Sequence, residues 1–176
     1  MNNFKAKCIE FWRWLTNLSW WRFVLFQYLL TFVPLFVSIV LMNILVKYNE
    51  GFPEYEPSVF FFLSMIPTVF LETVIFQHLV FKLFESRWKT DDNNKPSVYI
   101  IVSSIAFGLV HLLSCKGVLW FDIVKICDAL AGGIILAVSY YILWCKKQHP
   151  IIGVFLIHLL YNFTLLLLYY LFNQCF

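Results

Sequence analysis

The sequence predicts an all-α, polytopic membrane protein, a bundle of about five transmembrane helices preceded by an interfacial helix. Three observations carry that expectation. Of 176 residues, 61% are hydrophobic and 13% charged, against about 45–50% and about 25% in an ordinary soluble domain. The apolar letters fall in runs of the length that crosses about 30 Å of hydrocarbon, where only helices and closed barrels satisfy their own backbone. Between the runs lie short connections in which Lys and Arg are unequally divided.

Residues 1–21 read as an amphipathic segment lying on the membrane surface. Phe4, Cys8, Phe11, Leu15 and Leu18 recur at helical spacing, Lys5, Lys7 and Arg13 interleave, and Trp12, Trp14, Trp20 and Trp21 supply rings suited to the headgroup level. Residues 22–176 form the transmembrane domain, with no soluble second domain and no internal repeat. Its first span, 23–46, is too long for a signal-peptide core and lacks a small-residue cleavage site after it, so it is expected to stay in the mature protein. Spans at 59–83, 97–115, 123–144 and 151–172 follow, joined by connections at 48–58, 84–96, 116–122 and 145–150.

The basic residues set the orientation. Lys5, Lys7, Arg13, Arg22, Lys82, Arg87, Lys89, Lys95, Lys146 and Lys147 fall on one side, whereas Lys47 and Lys116 fall on the other, together with Glu50, Glu54 and Glu56. The N-terminus is therefore expected in the cytoplasm and the C-terminus outside, with the cell membrane as the location. A net charge of +3 without a basic stripe argues against a nucleic-acid partner. Cys8, Cys115, Cys127, Cys145 and Cys175 form no C-x-x-C pair and no His/Cys zinc spacing, so they read as packing residues.

Ionisable groups inside the spans are the informative letters, because a carboxylate at the bilayer centre costs about 2.5–3.5 kcal/mol even on a lenient insertion scale. The second span holds Glu72, the third His111 and the fifth His158 with Asn162. Residues four apart share a helical face, so His158 and Asn162 project together and Phe107 lies one turn below His111. Three helices can thus aim Glu, His, His and Asn into one pocket. A glutamate can take a proton from water and deliver it to a leaving amine, while His and Asn hydrogen-bond water, carbonyl or oxyanion. Glu72, His111 and His158 also match a His₂Glu zinc ligand set, so a zinc ion is a possible cofactor. Hydrolysis is common to both chemistries.

The segments Pro67-Thr-Val-Phe-Leu-Glu72-Thr73-Val-Ile-Phe76-Gln77, Phe107-Gly-Leu-Val-His111 and His158-Leu-Leu-Tyr-Asn162 resemble the three ordered motifs of the CPBP intramembrane proteases, the CAAX-protease and bacteriocin-processing (Abi-type) family. Those motifs are Glu-Glu-x-x-x-Arg, Phe-x-x-x-His and His-x-x-x-Asn/Asp. The likeness runs from about Pro67 to Phe163 and includes Gly132-Gly133. It implies Glu72 as activator of water, His111 assisting, and His158 with Asn162 binding the oxyanion, a scheme that needs no metal. It also implies a membrane-associated peptide or protein as substrate.

The departure lies in the first motif, where Thr73 stands for the second Glu and Gln77 for the Arg. Losing one partner of a buried salt bridge strands a charge at several kcal/mol, but here both charges are gone together. Thr73 and Gln77 are expected to hydrogen-bond as a neutral substitute for that clamp.

Blander roles stand beside these. Glu72 alone could be a protonated structural acid, and a single intramembrane His more often packs helices than works in a site. Asp128, with Asp122 and Lys125, reads as a snorkelling end-of-helix group, with a bond to His111 as the alternative. His78 and His149 sit near span ends and receive no role. Counting about 1.5 Å per residue places His158 shallower than His111, a mismatch that a tilted third span would remove. The favoured function is an intramembrane endopeptidase. A peptide-binding relative that does not cut, acting in immunity or maturation, and a proton-coupled transporter subunit are the competing classes, the last weakened by the lack of repeated halves.

Overall fold

The computed structural model describes residues 2–46, 59–88, 96–115, 117 and 119–174. Among these, helices account for almost everything and no strand occurs. In chain order they are α1 (Asn2–Asn17), α2 (Trp20–Leu30), α3 (Phe32–Leu41), α4 (Val59–Glu72), α5 (Val80–Trp88), α6 (Pro96–Val110), α7 (Leu119–Cys145) and α8 (Pro150–Gln174). Five stretches are long and apolar enough to cross a membrane: Trp20–Ile44, Leu63–Glu85, Pro96–Ser114, Leu119–Cys145 and Pro150–Leu168. The protein is an all-α integral membrane bundle, as its composition and apolar runs predict. Lys47, Glu50, Glu54, Glu56, Lys89, Lys95, Lys116 and Cys175, which enter the orientation and cysteine arguments, lie outside the described residues.

The spans are interrupted at several points. The first span breaks at Thr31 between α2 and α3, because Pro34 has no N–H to donate back to the preceding turn. At the break the Thr31 hydroxyl donates to the Tyr28 carbonyl at 2.5 Å. The second span widens into a π-helical segment, Thr73–Leu79, immediately after Glu72. The third span tightens into a 3₁₀ turn at His111–Ser114. Between the last two spans, Lys147 takes φ 55°; Gln148 N–H donates to the Leu143 carbonyl and Lys147 N–H to that of Trp144, both at 2.9 Å. Those bonds make a Schellman turn, and Pro150 restarts the helix with its fixed φ.

Bulky apolar side chains such as Phe36, Leu63, Leu71, Leu83 and Leu113 point outward, as they can where lipid replaces water. Inside, aromatic rings interlock at one end of the bundle, with Phe81 5.1 Å from Tyr99, 5.1 Å from Tyr140 and 4.9 Å from Trp144. The amphipathic helix α1 docks through buried Leu15 and an edge contact of Trp14 with Phe26 at 5.1 Å, leaving Phe11 and Trp12 exposed. Lys146 secures the joint by donating to the Leu18 carbonyl and lying 5.3 Å over the Phe23 ring.

Without a hydrophobic drive between helices in lipid, close packing of small residues carries the association. A Cβ added at Gly133 would meet Ser104 Cα at 3.1 Å and a Phe107 ring carbon at 3.2 Å, whereas one at Gly132 would meet nothing within 4 Å. Gly133→Leu is therefore expected to force α6 from α7 and cost about 1–3 kcal/mol. Gly132→Ala should be tolerated. Thermal unfolding of the two purified variants checks the contrast.

Candidate active site

The third span presents Phe107 and His111, and the fifth presents His158 and Asn162 one turn apart. All four line a single cavity of about 220 Å³, together with Thr31, Lys125, Asp128 and Tyr161. Phe107 links the two histidines, its ring centroid 4.9 Å from that of His111 and 5.3 Å from that of His158. The two imidazoles thus flank one ring, which brings the third and fifth spans together at Phe107. Glu72 does not line this cavity. It reaches the site through His158, whose Nε2 lies 3.5 Å from Glu72 Oε2.

Hydrogen bonds fix what each histidine can do. His111 Nδ1 lies 2.8 Å from the Phe107 carbonyl, an acceptor only, so Nδ1 carries the proton and Nε2 of the neutral ring is left with a lone pair. A neutral His111 can accept a hydrogen bond from water but cannot donate one to an oxyanion. His158 is 3% exposed and faces the Glu72 carboxylate with Nε2, the natural donor in that pair. Its Nδ1 is buried without a hydrogen-bond partner among the described residues. The separation of 3.5 Å exceeds a good hydrogen bond, and such contacts commonly tighten when substrate binds. It is His158, rather than His111, that touches the glutamate.

Asp128 corrects an expectation. As a residue of the 27-residue helix α7, it lies about 14 Å along the axis from Leu119, too deep for a short carboxylate to reach the surface. Both its oxygens are engaged internally. Ser38 Oγ of the first span donates to Oδ1 at 3.0 Å, and the Tyr161 hydroxyl of the fifth donates to Oδ2. Asp128 thus ties three spans together in the cavity wall and is not a snorkelling group. Asp122 is likewise turned inward, accepting the Gly117 N–H at 2.8 Å.

Thr73 and Gln77 are 1% and 0% exposed, but they do not bond to each other as expected. Gln77 Oε1 accepts from Ser103 Oγ at 2.7 Å and from the Tyr99 hydroxyl at 3.4 Å, while Thr73 Oγ1 has no hydrogen-bond partner among the described residues. The reason is the π-helical segment, which loosens the backbone ladder after Glu72. Ser103 also donates to the Phe76 carbonyl at 2.7 Å and Tyr99 to that of Gln77 at 3.3 Å. The neutral clamp therefore runs between the second and third spans instead of along one helix. His78 packs against Tyr140, with Nδ1 2.6 Å from the hydroxyl.

Glu72, His111 and His158 do not form a metal-holding group, and no other three His, Cys, Asp or Glu do among the described residues.

Residues 54–164, a stretch that contains Glu72, Phe107, His111, His158 and Asn162, match the family described as type II CAAX prenyl endopeptidase Rce1-like. No curated protein and no solved structure matches the chain. With that match spanning more than half its length and five membrane-spanning helices carrying the motif residues, the chain belongs to the Rce1-like family of type II CAAX prenyl endopeptidases.

Proposed function

We propose that this protein is an intramembrane endopeptidase in which Glu72 activates the attacking water. The observation that carries the reading is the pairing of Glu72 with His158, which lines one cavity together with His111 and Asn162. Glu72 takes a proton from water, the hydroxide adds to the scissile carbonyl, and the resulting oxyanion accepts a hydrogen bond from the Asn162 amide. The C–N bond then breaks as Glu72 returns the proton to the leaving amine. His158 holds the carboxylate, and the Nε2 lone pair of His111 orients the water. The scheme uses no metal or other cofactor. The substrate is a membrane-associated peptide or protein, bacteriocin-like precursors included.

The test is cleavage of an internally quenched, farnesylated peptide ending in a CAAX sequence by purified protein in phosphatidylcholine vesicles, with Glu72→Gln as the control. One observation favours a second reading, a peptide-binding relative that does not cut: Glu72 stands outside the lining of the cavity. That relative would bind the quenched peptide and leave it intact.

In the same reading the protein sits in the cell membrane with residues 1–21 on its cytoplasmic surface, residues 22–176 as the protease-like domain, and the C-terminus outside. Single-Cys variants check this with a membrane-impermeant thiol reagent on intact cells. Cys175 should label and Cys8 should not, and the reverse pattern would invert the topology.

A further inference from the structure

The last helix, α8, carries apolar side chains on every face. Ile152, Leu160, Phe163 and Leu167 are exposed, while Val154, Ile157 and Leu166 are buried. Such a helix in lipid has no polar face to set its turn about its own axis, so its neighbours must set it. The turn bears on chemistry, because His158 and Asn162 both ride on α8 and line one cavity. His158 is loosely held by its own polar contacts. Its Nε2 lies 3.5 Å from Glu72 Oε2, and its Nδ1 has no hydrogen-bond partner among the described residues.

Two hydroxyl bonds hold α8 from one flank. At about 100° per residue, Tyr161 stands about 60° round the helix from His158, and Thr164 about 60° further in the same direction. The Tyr161 hydroxyl donates to Asp128 Oδ2 of the fourth span, and Asp128 Oδ1 accepts from Ser38 Oγ of the first at 3.0 Å. Thr164 gives its proton to the Leu160 carbonyl at 2.8 Å, so the Tyr28 hydroxyl of the first span is the donor in their 2.7 Å bond. Resting on the endopeptidase reading, we infer that Tyr161 is a positioning residue: anchored through Asp128 to Ser38, it fixes the rotation of the fifth span and so the direction in which His158 and Asn162 face the cavity. The plain alternative has the same bonds stabilise the bundle without steering the site.

Tyr161→Phe removes one hydroxyl and keeps the ring. On the quenched farnesylated peptide in phosphatidylcholine vesicles it should lower kcat by about tenfold to a hundredfold, the scale of a misplaced site, with KM changed by less than about twofold. Asp128→Leu should do the same, and Asp128→Asn, which keeps an acceptor for the Tyr161 hydroxyl, should recover most of the rate. A readout without substrate runs beside it. Spin labels are placed on Ile134→Cys of α7 and Leu160→Cys of α8, both exposed positions, in full-length protein whose five native cysteines are replaced by serine. The distance between the labels should be sharply defined with Tyr161 present, and shift or broaden by a few ångströms in Tyr161→Phe. An unchanged distance in Tyr161→Phe, or a lower Tm with kcat and KM both unchanged, overturns the inference and leaves the endopeptidase reading standing. Wild-type protein that cuts no peptide overturns that reading instead, and the label distances then decide by themselves whether Tyr161 holds the rotation.

Discussion

Glu72→Gln is expected to leave the protein folded and inserted while lowering peptide cleavage by about 10²–10⁴-fold, the range that a positioned general base contributes. Glutamine keeps the length of the side chain and a carbonyl oxygen that can still accept from His158 Nε2, so the 3.5 Å contact between the second and fifth spans survives. It removes only the capacity to take a proton. His111→Ala should come close in severity, because it deletes the lone pair that the proposed scheme uses to orient the water, and with it the side-chain donor to the Phe107 carbonyl. Asn162→Ala, which removes the proposed oxyanion donor, should cost about 10²–10³ in rate and leave measurable turnover. The sign with pH follows from the same role: only an ionised Glu72 accepts a proton, so turnover falls as the medium is acidified. Rates of the three purified variants on the farnesylated CAAX peptide test the series. Wild-type turnover by Glu72→Gln would end the assignment.

Gln77→Arg should be the most damaging single change to assembly. Gln77 is fully buried and faces Ser103 and Tyr99 of the third span, neither of them anionic. An arginine there places a cation with no counter-ion in a membrane interior, a loss of about 3–5 kcal/mol on the scale of a broken buried pair. For a chain of this size that is an apparent Tm lower by on the order of 10 °C. Adding Thr73→Glu supplies a carboxylate from the adjacent turn at another fully buried position and should recover more than half of the loss. Thermal unfolding of the single and double variants in detergent measures the coupling. If the double variant were no more stable than the single one, the two side chains would not meet.

The spans were legible because their signal is length, and length survives any rearrangement of neighbours. The pairings of Phe107 with His111 and of His158 with Asn162 were legible for a similar reason, since residues four apart share a face whatever the helix packs against. What the letters do not encode is rotation and depth. Asp128 has the same sequence context whether it faces headgroups or the interior, and only the arrival of Ser38 and Tyr161 from other spans decides it. The level of His158 relative to His111 depends on where each helix enters and how it leans, which residue counting omits. The π-helical turn after Glu72 was invisible as well, although Ser103 and Tyr99, two polar residues four apart in an apolar span, were a usable sign that carbonyls on a neighbour needed donors.

The first span lies before the stretch that carries the family likeness, residues 54–164, yet it supplies Thr31 to the cavity and Ser38 to Asp128. The matched stretch and the walls of the cavity therefore have different borders on this chain. A chimera that transplanted the related segment behind a foreign leader helix would carry every motif residue and still leave one flank of its reaction chamber unwalled, with an aspartate facing acyl chains. The portable unit is longer than the matched stretch, and a swap would need a hydroxyl at the place of Ser38 to travel with it.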